Sequence, residues 1–139
     1  NKAQTHLTSV GEELKGDVAI LAPNDGTARS IADVFASDSA VTDYTITGQD
    51  AEKASIQYII DEKQSMTVFK DVRTLVQDAM GMAVEVLDGN EPETTGSYDN
   101  GAGEVKAKQT DVIVVDKENV KSELIDTEYY EASEFTGIE

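Results

Sequence analysis

The feature that most constrains this chain is an alternation. Short, continuously apolar runs take turns with stretches whose apolar residues recur at helical spacing. Asp17-Val18-Ala19-Ile20-Leu21-Ala22 is strand-sized and lacks a polar face, the pattern of a strand covered on both sides. Pro23-Asn24-Asp25-Gly26 stops it with turn residues. Thr27 to Ser37 then places Ala28, Ile31, Ala32, Val34 and Phe35 in one stripe, which predicts a helix with Asp25 or Thr27 as its cap. Tyr44-Thr45-Ile46-Thr47 is rich in strand formers and stops at Gly48-Gln49-Asp50. Ala51 to about Glu62 predicts a second helix, with Ile56, Ile59 and Ile60 on one face, and Met66-Thr67-Val68-Phe69 a third strand ending at Lys70. Asp71 to Leu87 predicts a third helix, stopped by Gly89.

Glu91 to Gly103 reads as a turn-rich connector, and Val112-Ile113-Val114-Val115 as a fourth buried strand. Asp116 is placed to cap a last helix to about Asp126, and the acidic tail beyond Thr127 is expected to be loosely held. Asn1 to Lys15, polar with scattered apolar positions, reads as the tail of a helix. Strand–helix alternation of this kind predicts an α/β fold, a parallel sheet flanked by helices. The 139 residues suit one domain.

Charge and composition exclude several functions. With 28 acidic residues against 11 basic ones, the net charge is −17, which disfavours nucleic acid and anionic membranes alike. Cysteine is absent, which removes disulfides, thiol catalysis and Cys-based zinc sites. His6 is the sole histidine and lies in a polar segment far from the strand ends. Asn24-Asp25-Gly26-Thr27 is not the glycine fingerprint of a dinucleotide site, and neither a Walker motif nor a Gly-x-Ser-x-Gly elbow occurs. The acids from Asp88 to Glu93 do not have calcium-loop spacing. The expectation is a binder, not an enzyme, with no cofactor and no metal.

Ligands of open α/β sheets bind beyond the carboxyl ends of the strands. Three successive strands end in polar residues, Asn24, Asp50 and Lys70. An amide, a carboxylate and an ammonium on one edge suit a neutral polyol, since together they both donate to and accept from hydroxyls. Each residue also has a plainer reading: Asn24 as a turn residue, Asp50 as a helix cap, Lys70 as a solvated charge.

Three stretches carry a closer resemblance. They are Leu21 to Ala28 (LAPNDGTA), Thr47 to Glu52 (TGQDAE) and Met66 to Asp71 (MTVFKD), in that order, with Tyr98-Asp99-Asn100-Gly101 and Val114-Val115-Asp116-Lys117 after them. They resemble the periplasmic sugar-binding proteins of ABC transporters, type I, in the xylose-binding and multiple-monosaccharide-binding family. The resemblance runs from Gly16 to about Tyr130 and covers only the C-terminal portion of such proteins. It implies a two-lobed α/β binder that closes on a monosaccharide and delivers it to an ABC permease, in some members also signalling to a chemoreceptor. It implies an extracytoplasmic setting, either periplasmic or lipid-anchored on the outer face of the cytoplasmic membrane. It further implies that Asn24, Asp50 and Lys70 are sugar ligands. Residues 1–69 would form a partial C-terminal lobe and residues 70–110 a crossover with a helix of the N-terminal lobe. Residues 111–139 would supply the return strand, a helix and the tail.

On this reading the chain is a fragment that binds sugar weakly or not at all by itself. Phe69 is the one aromatic beside the proposed site, and the stripe from Val72 to Val86 lacks its partners, which points to a homo-oligomer or a domain-swapped assembly. The alternative is a response-regulator-like phosphoacceptor domain with Asp25, Asp50 and Lys70 as acid, phosphorylated aspartate and lysine. Against it, the second acid of the pair after the first strand and a Ser or Thr after the fourth cannot both be placed.

Overall fold

Strands β1 (Gly16–Ile20) and β2 (Val41–Ile46) pair in parallel, with Val18 opposite Tyr44 and Ile20 opposite Ile46. Parallel partners need a crossover, and helix α1 (Asp25–Ser37) supplies it. The computed structural model describes residues 16–37 and 41–138, together with Lys2, Thr5, His6 and Ser9. The expected helical tail before Gly16 otherwise lies outside the described residues.

The predicted stripe of α1 is the buried one. Ala28, Ile31, Ala32 and Phe35 pack with Ala22 and Ile46, and the Phe35 ring lies 5.3 Å from that of Tyr44. Helix α2 (Lys53–Ile60) buries Ile56 and Ile59 in a second cluster with Phe69, Val115, Val120, Leu124 and Phe135. Strand β3 (Met66–Phe69) joins the end of β2 through a parallel bridge between Gln49 and Val68.

The last strand, β6 (Ile113–Asp116), runs antiparallel to β3, with Met66 opposite Asp116 and Phe69 opposite Ile113. The fold is therefore α/β with a parallel portion flanked by helices, as expected, but closed by one antiparallel strand. The register gives the reason. The chain leaves at Phe69 and returns at Ile113 at the same end of the ribbon, so it must come back in the opposite direction. Only Val115 of β6 is buried, while Val112, Ile113 and Val114 are exposed, and no residue of β1 is buried, with Leu21 exposed after it, so the expected burial on both faces holds for neither strand.

The chain divides into two compact units, residues 1–69 with 113–139, and residues 70–112. The second unit holds helix α3 (Val72–Leu87) and a hairpin of β4 (Gly96–Asp99) and β5 (Glu104–Ala107). Asp71 caps α3 by accepting from the Arg73 N–H at 2.9 Å. Gly89, at φ +80°, takes the left-handed conformation that ends it. None of α3 is buried, and Val72, Val76, Met80 and Val84 are each about half exposed or more. The hairpin pairs Tyr98 with Val105, where a connector without strands was expected. Its strands are short and solvent-facing, so no apolar alternation marks them.

Two expectations for the C-terminus fail. Asp116 does accept from the Glu118 and Asn119 N–H groups, but the chain beyond it makes one wide turn, Lys121–Ile125, and not a full helix. The tail is not loose. Tyr129 packs edge-on to Phe69 at 4.6 Å, Tyr130 lies 5.5 Å from Phe135, and Phe135 is only 8% exposed. Gln57 binds both the carbonyl and the N–H of Thr136, and Lys53 pairs with Glu134. Acidic residues dominate the composition of this segment, but its aromatics decide its packing. Phe135→Ala is expected to destabilise the protein by about 3–5 kcal/mol in urea denaturation; a change below about 0.5 kcal/mol would mean a tail that contributes little.

Candidate functional site

The carboxyl ends of β1, β2 and β3 meet at one edge. The loop after β1 is bound to the loop after β2 by Asp25 N–H donating to Gln49 C=O at 2.9 Å. The loop after β2 is bound to β3 by Asp50 N–H donating to Val68 C=O at 2.9 Å and by Val68 N–H donating to Gly48 C=O at 3.0 Å.

The side chain that fixes these loops is Asp25, which is fully buried. Its Oδ1 accepts from Gln64 Nε2 at 2.9 Å and Thr67 Oγ1 at 2.8 Å, and its Oδ2 from Glu52 N–H at 2.8 Å. Burial pushes its carboxyl above the ordinary value of 3.8. The donors from Gln64, Thr67 and Glu52 pull it back, and the Glu52 charge adds to the rise. Gly48 lies against this group, where a methyl would overlap Asp25 Oδ1 and Gln64 Nε2. Arg29 supports the same loop from α1, donating to buried Ser55 at 2.8 Å and pairing with Glu52 at 2.7 Å.

Asn24 is exposed, and its Oδ1 accepts from Thr27 N–H at 2.9 Å, so Asn24 caps α1 in place of the expected Asp25 or Thr27. Its plainer role is thus real, yet the oxygen has a second lone pair and the amide two further donors. Asp50 is exposed on the adjoining loop at φ +101° and accepts from Gln49 Nε2 at 3.4 Å. It is not the cap of α2, since Glu52 holds that position. Lys70, half-buried, directly follows Phe69 and opens the second unit. The first unit thus brings Asn24 and Asp50 to one edge, and the chain continues into Lys70 from that edge.

Phe69 does not serve the site. It is 3% exposed and packed against Tyr129, so it offers no face to a ligand. Gln64 and Thr67 were not expected to matter here, and Asp25 was expected only as a cap or as the acid of the phosphoacceptor alternative. The one cue was Gly48 itself, whose lack of a side chain signals a close approach. Nothing in the chain order links Asp25 to Gln64 or Thr67.

An exposed carboxylate beside a capping amide can grip neighbouring hydroxyls, with charge-assisted bonds about twice as strong as neutral ones. The phosphoacceptor alternative fails on Asp25. Both its oxygens are occupied and sealed from solvent, so it cannot serve as the metal-holding acid beside Asp50.

Comparison with known proteins identifies what the chain as a whole is similar to. The family model for the periplasmic binding protein domain matches residues 1–91. The D-xylose-binding periplasmic protein of Escherichia coli is 33% identical over 116 residues, 84% of this chain and 35% of that protein. A carbohydrate transporter solute binding protein from Chloroflexus aurantiacus, solved in complex with D-glucose, is 58% identical. It matches over 99% of this chain and 40% of its own, with a TM-score of 0.91. An ABC transporter solute binding protein from Clostridium phytofermentans, with bound β-D-glucose, is 32% identical over 95% of this chain and 43% of its own, with a TM-score of 0.84. The chain spans about a quarter to a third of the length of the curated relatives it matches.

The state of Asp25 sets a pH dependence. A raised carboxyl holds its proton longer when folded than when unfolded, so its contribution is complete below pH 3.8 and declines as pH rises through the folded value. The stability difference between wild type and Asp25→Asn, followed by urea titration, is expected to shrink over that range. A difference that grows with pH would contradict the burial-dominated state. Gly48→Ala is expected to lose about 1–3 kcal/mol from overpacking, read from the same titration at neutral pH.

Proposed function

Because the chain belongs to the periplasmic binding protein domain family, we propose that it is the C-terminal portion of the substrate-binding component of an ABC-type monosaccharide importer. The sugar is of the xylose or glucose kind, and its ligands from this chain are Asn24, Asp50 and Lys70. The observation that carries the proposal is the hydrogen-bonded junction of the loops bearing Asn24 and Asp50, made by Asp25 N–H and Gln49 C=O. The relatives add to it, since two solved proteins that match nearly the whole chain were crystallised with glucose.

The roles follow from donor and acceptor chemistry. Ionised Asp50 accepts from two adjacent hydroxyls, Asn24 both donates and accepts, and Lys70 donates from the segment that opens the second unit. The protein binds and releases its sugar unchanged; it is not an enzyme. Its setting is extracytoplasmic, as in the periplasmic relatives, either free or lipid-anchored. The parent hands its sugar to an ABC permease and in some settings engages a chemoreceptor.

The remaining partners of the sugar come from a part of the parent that this sequence does not span. Residues 70–110 cross over to the other lobe, a reading supported by the separate unit over residues 70–112 and by the wholly unburied α3. Residues 1–69 and 111–139 complete the C-terminal lobe. Left with α3 uncovered, the chain alone forms homo-oligomers or a domain-swapped assembly.

Calorimetry with D-xylose, D-glucose and L-arabinose tests the reading. The two-lobed parent is expected to bind at least one of them at micromolar strength, and Asp50→Ala to weaken that binding about a hundredfold, roughly 2.7 kcal/mol. Unchanged affinity in Asp50→Ala removes Asp50 from the ligand set. The isolated chain is expected to bind none at micromolar strength, and light scattering is expected to find it larger than a monomer. A monomer at high concentration would count against the exposed α3 as a lobe-contact surface.

A further inference from the structure

Asp50 and Ala51 stand consecutively at positive φ, 101° and 50°. Neither is glycine, and such residues keep this conformation only where their surroundings impose it. The surroundings here are specific. Ala51 is fully buried, and its N–H donates to Thr67 Oγ1 at 3.2 Å, whose own proton goes to Asp25 Oδ1 at 2.8 Å. The Ala51 carbonyl accepts from the Tyr130 hydroxyl at 2.9 Å. The flanking N–H groups of Asp50 and Glu52 go to Val68 C=O and Asp25 Oδ2.

Tyr130 is the member of this set that comes from the C-terminal segment. Its ring is held edge-on between Tyr129 at 5.0 Å and Phe135 at 5.5 Å. Burial pushes its phenol above the ordinary value of 10.0, so the hydroxyl remains a donor through the neutral range. The hydroxyl and the Thr67 oxygen grip Ala51 from its two sides, one at the carbonyl and one at the N–H. Together they prevent the rotation that would return residues 50 and 51 to negative φ.

We propose that Tyr130 is a positioning residue for the sugar site, its hydroxyl holding the left-handed Asp50–Ala51 turn that presents the Asp50 carboxylate to ligand hydroxyls. The ligand half of this proposal rests on the sugar-binding reading; the hold on the turn does not. The C-terminal segment is then part of the binding machinery although it touches no ligand.

Tyr130→Phe tests it, removing one oxygen and keeping the ring. Two readouts separate the halves. In this chain, one-bond Cα–Hα couplings at residues 50 and 51, which separate positive from negative φ, report the turn. In the two-lobed parent, calorimetry with D-glucose and D-xylose reports affinity. Tyr130→Phe is expected to shift both couplings and to weaken sugar binding about tenfold. Ala51→Gly in the same background is expected to restore most of that loss, because glycine takes positive φ without the clash of a Cβ. General loosening of the fold would not be rescued this way. Couplings identical to wild type overturn the hold, and unchanged affinity in a parent that binds sugar overturns the positioning role of Tyr130. Shifted couplings in a parent that binds neither sugar support the hold and overturn its assigned ligand.

Discussion

The Asp25 carboxylate has no exposure, yet it accepts three hydrogen bonds from three different parts of the first unit. An unpaired charge at such a place would cost several kcal/mol. With its donors it becomes a fixed point. Thr67 brings β3 to it, Gln64 the turn before β3, and the Glu52 N–H the start of α2. Because Asp25 itself opens α1, the loops after β1 and β2 cannot move independently. The close approach of Gly48 belongs to the same constraint, since any larger residue would push the carboxylate off its donors.

That fixed point lies beneath the proposed site, whose residues are exposed. Asn24 and Asp50 are both solvent-facing, and exposed side chains on loops ordinarily lose entropy when a ligand orders them. Here hydrogen bonds already hold the backbone beneath them. The left-handed pair at Asp50 and Ala51 stores strain on the order of 1–3 kcal/mol per residue, and the Asp25, Thr67 and Tyr130 hydrogen bonds offset it. The same loop thus combines an exposed carboxylate outside with a buried hydrogen-bond network inside.

The second unit obeys a different logic. In the first unit each apolar stripe finds a partner: α1 against Ile46, α2 against Phe69 and Leu124. In α3 the stripe from Val72 to Val86 has the same spacing and no burial at all. Its local stability comes from the Asp71 cap and from ion pairs such as Lys108 with Asp78 at 2.9 Å. That uncovered apolar face is the feature on which the proposed lobe contact rests.

The sequence by itself determined the elements whose residues face one another locally. The stripes of α1 and α2, the strands β1 to β3 and the stop at Gly89 follow from period and turn chemistry, which act over a few residues. It also marked Asn24, Asp50 and Lys70, because strand ends are visible along the chain. Tertiary structure decided the rest. The direction of β6 depends on where the chain re-enters, the packing of the tail on the partners of Tyr129 and Phe135, and the burial of Phe69 on the same cluster. The role of Asp25 depends on Gln64, 39 positions away, and Thr67, 42 away. An Asn-Asp-Gly turn looks the same in sequence whether its carboxylate faces water or a set of buried donors, and only the folded chain brings those donors within 3 Å.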